Sequence, residues 1–176
     1  NHMRHQVRQQ IKRCKAAGVI IKELNDCSQY YEKIFTLQNN NFCKYHSTEN
    51  PLSPDFYEKC HAVFGNNVKF LGAFKANELV GVNVILKNEK LWHGFRVGFD
   101  YDKLEKNDFI YFNLLYYDLI DLAIKNKAKT IYFAHEQDDI KQRRGCQLEK
   151  VFVYRKSNSS LLNTLLGLHA AYSNSK

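Results

Sequence analysis

His135 and Glu136 stand side by side, and Lys141 and Arg144 follow them closely. An imidazole or a carboxylate can take a proton from a nucleophile, directly or through water. A lysine or arginine can hold a phosphate or a developing oxyanion. Each has a plainer reading as well. Single polar residues at a strand end are often structural, and Lys141 with Arg143 and Arg144 can be a solvated basic helix. Val97-Gly98-Phe99 ends an apolar alternating run, where backbone N–H groups could bind a carbonyl oxygen. Gly98 would let a ligand approach, or it is a strand glycine at a bulge. Lys103, Lys106 and Asn107 precede a long helical pattern whose N-terminal donors suit a pyrophosphate. Glu105 and Asp108 in the same stretch oppose that. Alternation puts His93 with Leu91, Phe95 and Val97 as a half-buried residue. Arg96 then shares the other face with Trp92 and Gly98, free to bind an anion or pair with Asp100.

These residues need a scaffold, and 176 residues supply one domain's worth. Apolar residues make up 44% of the chain, enough for a full core, and no apolar run is long enough to span a bilayer. Asn1-His2-Met3 reads as a cloning remnant, which leaves 4–176 as a single domain and leaves open a longer protein. The five cysteines lack metal-ligand spacing, so no metal site is expected, and reduced thiols in the cytoplasm are. A net charge of +8 favours an anionic partner such as a phosphorylated cosubstrate, tRNA or a membrane face.

Helical spacing of Val7, Ile11 and Cys14 predicts a helix over 4–17, with Gly18 ending it and a strand over 19–24. Arg4, Arg8, Lys12 and Lys15 form a cationic stripe on that helix, either a phosphate contact or a solvated face. Helices are predicted over 28–43 and 54–64, the latter capped by Ser53. Three strand-like runs over 68–74, 78–86 and 90–99 are joined by short turns and must form an antiparallel meander. The clearest helical stripe runs over 108–126, with Asn107 or Asp108 as cap. A buried strand follows over 130–134, then a short helix over 138–144, a strand over 147–155 and a closing helix over 159–172. The crossover sets the strand at Thr130 parallel to the one ending at Phe99. A ligand mouth is therefore expected where residues 97–107 face residues 134–141.

The order of elements, with the run Tyr132-Phe133-Ala134, then Lys141, then Gly145, resembles the FemAB-like branch of the GNAT (N-acyltransferase) superfamily. In that branch a strand ends in Phe-Gly, with a lysine seven residues after the glycine. Ala134 stands in for that glycine. Tyr116 to Ile124 resembles the preceding helix, and the stretch from Arg8 to Val19 resembles the opening helix and strand. The glycine-rich phosphate loop of many relatives is absent from residues 103–108. So is their frequent tyrosine acid, and Lys141 stands at the corresponding place. The resemblance implies an α/β GNAT fold: a mixed, mostly antiparallel sheet, a long crossover helix, a parallel fourth and fifth strand, and helices on both faces. It implies N-acyl transfer from acetyl-CoA to an amine. The alternatives are aminoacyl transfer from charged tRNA, or a non-catalytic half of a tandem protein. His135, Glu136 and Lys141 are the expected catalytic residues. Val97, Gly98, Phe99, Lys103, Lys106, Asn107, Lys141 and Arg144 are expected around the cosubstrate.

Overall fold

The computed structural model describes residues 2–46, 50–134, 137–151, 154 and 156–174. Helix α1 (His2–Ala16) leads through Gly18, at φ +72°, into β1 (Val19–Glu23). A left-handed glycine here ends the helix at little steric cost. Helices α2 (Tyr31–His46) and α3 (Phe56–Phe64) come next. The meander then runs through β2 (Val68–Lys75), β3 (Glu78–Lys87) and β4 (Leu91–Phe99). After a loop come α4 (Ile110–Phe112), a π-helical segment (Asn113–Tyr117), α5 (Asp118–Lys125), β5 (Thr130–Tyr132), α6 (Asp138–Arg143) and α7 (Ser160–Asn174). Among the described residues no helix is long and apolar enough to cross a membrane.

The strands form one sheet in the order β1-β2-β3-β4-β5, antiparallel except for the parallel β4–β5 pair. Alternation sends their side chains into two cores. Leu71, Ala73, Val80, Ile85, Trp92 and Phe99 meet Cys14, Leu114, Leu119 and Ala123, so α1 and α5 cover that face. Phe70, Phe74, Val82 and Val84 meet Ile34, Leu37, Tyr57 and Cys60 of α2 and α3 on the other.

Several expectations are corrected. The helix predicted over 108–126 begins at Ile110 and is interrupted by a π turn. Neither Asn107 nor Asp108 caps it, because Phe109 occupies the preceding position at φ +52° with no side-chain cap bond. Ser53 does not cap α3 either. Its carbonyl accepts the Phe56 N–H (3.0 Å) and its hydroxyl turns to Asp55, the N-cap residue. The strand expected over 147–155 does not form at its described positions, where Leu148 and Val151 lie exposed. A strand needs a ladder partner, and the three-residue edge strand β5 offers little. Phe152, Val153 and Arg155 lie outside the described residues.

A π turn strands backbone groups, and buried side chains take them up. Fully buried Asn83 of β3 donates through Nδ2 to the Leu114 carbonyl (3.1 Å). Asn113 donates to the Phe109 carbonyl (2.8 Å) and the Gln10 carbonyl (3.4 Å), and the Tyr117 hydroxyl donates to the Gln10 side chain. The segment is thereby pinned to both β3 and α1.

Asn83→Leu would leave the Leu114 carbonyl buried without a donor. It is expected to cost about 1–3 kcal/mol in urea-unfolding experiments. Asp118 gives a pH signature. Burial, with Asp121 nearby, pushes its carboxyl up to about 6. The folded state thus holds this proton more tightly than the unfolded chain, which releases it near pH ~3.9. The group's stabilisation is full below about pH 4 and is lost as pH rises through about 6. Asp118→Asn should therefore be more stable than the wild type above that range, by on the order of 1–2 kcal/mol. The advantage should vanish below about pH 4, and melting temperatures across the interval check it.

Candidate active site

The site follows from how β4 is bonded. Its β3 side is paired from Trp92 to Phe99. Its β5 side is paired only at Leu91, Trp92 and His93, opposite Thr130, Ile131 and Tyr132. Beyond His93 the two parallel strands no longer share a ladder. Asp100 donates to the Val80 carbonyl (2.9 Å). By antiparallel alternation, Gly98 and Arg96 also bond to β3, so the N–H groups of Val97 and Phe99 turn to the open side. Open strand N–H groups can hold a developing oxyanion.

The Phe99 ring itself is buried against Tyr101 and Tyr111, and Val97 packs beside the α5 core. The expectation for Gly98 needs correcting. A Cβ there would lie 2.5 Å from the Gln38 nitrogen and 2.7 Å from the Leu37 carbonyl oxygen. The close approach that this glycine permits is that of α2, not of a ligand.

At the end of β5 the chain turns sharply through Ala134 (φ +53°) and Gln137 (φ +58°). His135 and Glu136 lie outside the described residues. Lys141 is not a surface lysine but only 6% exposed. Its ammonium reaches back to donate to the Ala134 carbonyl (2.7 Å). The Lys141 N–H donates to Gln137 (3.1 Å), and its carbonyl accepts from Cys146 (3.1 Å). Lys141 thus holds the left-handed end of β5 at Ala134. Gly145, at φ +90°, ends α6.

The loop before α4 is closed upon itself. Asp108 is only 4% exposed, and its carboxylate accepts the Glu105 N–H (3.1 Å) and a Lys75 ammonium proton (2.9 Å). Glu105 also lies 3.7 Å from Lys75, and Lys103 is paired with Glu78. An internal carboxylate therefore takes the cation and the backbone donor that a diphosphate would need. Lys106 and Asn107 are exposed on the rim. These residues do not fit the diphosphate of coenzyme A at this loop. The signal was present in Asp108, but a lysine 33 positions away completes the closure.

Arg144 is held elsewhere. Its guanidinium stacks 4.2 Å from the Phe112 ring centre and 5.3 Å from that of Tyr116, and it donates to the Ile140 carbonyl (3.1 Å). With Arg4 and Arg8 of the α1 stripe it lines a groove of about 440 Å³, walled by Val7, Tyr117 and Ile120. Tyr116 in turn packs on Phe133, with 5.1 Å between ring centres, so the groove abuts the end of β5.

A family model for peptidoglycan biosynthesis/recognition, FemAB-like, matches residues 1–167. The chain belongs to the FemAB-like family. The left-handed turn at Ala134 is where the family motif carries glycine, which explains that motif residue physically. No curated protein sequence matches this FemAB-like chain. Among solved structures, it is similar to a possible acetyltransferase from Clostridium difficile 630, at 13% identity and TM-score 0.60, covering 79% of this chain and 97% of that one. A predicted acetyltransferase with acetyl-CoA from Clostridium acetobutylicum has 8% identity and TM-score 0.60, with 78% and 96% covered. An aminoglycoside acetyltransferase from an uncultured soil metagenomic sample has 14% identity and TM-score 0.57, with 80% and 97% covered. At such identities the likeness establishes the fold. Among the described residues no cluster of three or more His, Cys, Asp or Glu could hold a metal ion.

A left-handed alanine costs roughly 1–2 kcal/mol, while glycine adds roughly 0.5–1 kcal/mol of unfolded-chain entropy. Ala134→Gly is expected to raise stability by up to about 1 kcal/mol, and Ala134→Val to lower it. Chemical denaturation of both variants measures the difference.

Proposed function

We propose that this FemAB-like chain is an N-acyltransferase domain, moving an acyl group from an activated donor to an amine. The observation that carries the reading is the strand β4 edge, unpaired with β5 beyond His93 and Tyr132. The amine nitrogen attacks the acyl carbon, the new C–N bond forms, and the bond to the carrier's sulfur or oxygen breaks. Val97 and Phe99 N–H groups hold the carbonyl oxygen as it gains charge. His135 or Glu136 takes the proton that the amine loses, and that proton ends on the departing group. Lys141 positions the end of β5 through the Ala134 carbonyl.

Two donors come into question. Acetyl-CoA is suggested by the similar acetyltransferase folds. Aminoacyl-tRNA is favoured by two features of this chain. Asp108 closes the loop where a diphosphate would sit. Arg4, Arg8 and Arg144 line a separate groove that abuts the end of β5. Such a groove suits a phosphate backbone.

Titration calorimetry with acetyl-CoA is expected to give no heat at millimolar ligand. Charged tRNA is expected to bind with an affinity that falls steeply with salt, and Arg4→Ala and Arg8→Ala should each lower the salt slope by about one. Micromolar acetyl-CoA binding would reverse the choice of donor. If neither donor binds, the transferase reading fails.

A further inference from the structure

The β3–β4 ladder carries a bulge. Val84 pairs with Arg96 and Ile85 with Gly94, leaving Phe95 as the extra residue. A bulge shifts the alternation of side chains beyond it. Before it, Trp92 packs in the α5 core, and a Cβ on Gly94 would face Leu119 of α5 (3.4 Å). After it, Val97 and Phe99 face that core, and Gly98 faces α2. Phe95 and Arg96 therefore both lie on the α2 face. Plain alternation had set Arg96 with Trp92 instead.

On that face the Arg96 guanidinium stands 5.8 Å from the Phe42 ring centre of α2 and 5.7 Å from that of Phe95. Aromatic faces stabilise the cation without neutralising it. Among the described residues its one hydrogen bond is long, from Nη1 to the Asn50 side-chain oxygen at 3.4 Å. It has no carboxylate partner among the described residues, and Asp100 pairs instead with Lys33 (3.0 Å). Three further donors on this side of the sheet are buried and unbonded: Asn50 Nδ2, the Tyr57 hydroxyl and Gln38 Nε2. Burial raises the Tyr57 phenol's pKa while the Arg96 charge acts against that rise, so the two groups interact. All four groups donate. Burying donors without acceptors beside a half-buried cation that has no anionic partner is costly, and a carboxylate, with two oxygens and four lone pairs, is their natural complement.

We propose that Arg96, with Asn50 and Tyr57, forms a carboxylate-binding subsite for the acyl acceptor. Arg96 is the strand neighbour of Val97, so the subsite lies within roughly 7 Å, about two strand residues, of the oxyanion donors. The acceptor is then an amine that carries a carboxylate a few bonds from the reacting nitrogen. Assigning the carboxylate to the acceptor rests on the transferase reading; the subsite itself does not.

The test compares glycylglycine with glycylglycinamide, followed by amide chemical shifts of the whole chain. The acid is expected to bind about tenfold more tightly than the amide, with the largest shifts around Asn50, Tyr57 and Arg96. Arg96→Gln should abolish the preference, and Tyr57→Phe should weaken it while leaving the fold intact. Equal binding of the two probes overturns the proposal. So does no binding of either up to ~100 mM, or a preference that survives in Arg96→Gln. If Arg96→Gln fails to fold, the wild-type comparison and Tyr57→Phe still decide. A preference for the acid without acyl transfer to either probe would leave the subsite standing and sink the transferase reading. Acyl transfer without the preference would do the reverse.

Discussion

A strand that is bonded on both edges at one end and on one edge at the other has to present polar backbone somewhere. Strand β4 is in that position. β3 holds it along its length, while β5 leaves it after His93 because β5 itself ends at Tyr132. Buried N–H groups need acceptors, so the open edge from Gly94 onward is a polar strip set in an otherwise apolar sheet. α2 seals one side through the backbone contact at Gly98, and the Lys141 clamp fixes the turn at the other.

The covering helix on the α5 side pays for its position with an irregularity. Its π turn leaves backbone carbonyls to be satisfied from outside, and Asn83, buried in the sheet, supplies one donor. That hydrogen bond couples β3 to the helix at the level of Val97, whose ladder partner is Asn83. A polar residue in the middle of a hydrophobic strand thus holds the helix in one register beside the open β4 edge.

Charge is distributed unevenly over this frame. In the loop before α4, Asp108 and Glu105 engage Lys75 of β2, and Glu78 of β3 engages Lys103, so the loop's charges are paired with the neighbouring strands. The arginines are treated differently. Arg144, Arg4 and Arg8 surround a groove with aromatic walls. Arg96 sits between two phenyl rings on the opposite face.

Local patterns were enough to place the meander, α1 to α3, the crossover and the parallel strand pair. Alternation, helical stripes and turn residues act over a few neighbours and survive in any context. The Phe133, Lys141 and Gly145 spacing likewise marked the end of β5, and the left-handed Ala134 gives that spacing its physical cause. Four things were decided only when the chain closed on itself. Gly98 turned out to make room for α2, Lys141 to be buried, Asp108 to plug its own loop with a distant Lys75, and Arg96 to change faces at a one-residue bulge. For Gly98 and Asp108 the partner lies tens of residues away, for Lys141 it is the Ala134 carbonyl across a left-handed turn, and for Arg96 the cause is a ladder slip that leaves hydrophobicity unchanged. Periodicity in one segment carries no record of such pairings, because they are set by which backbone edges and charges meet across the fold.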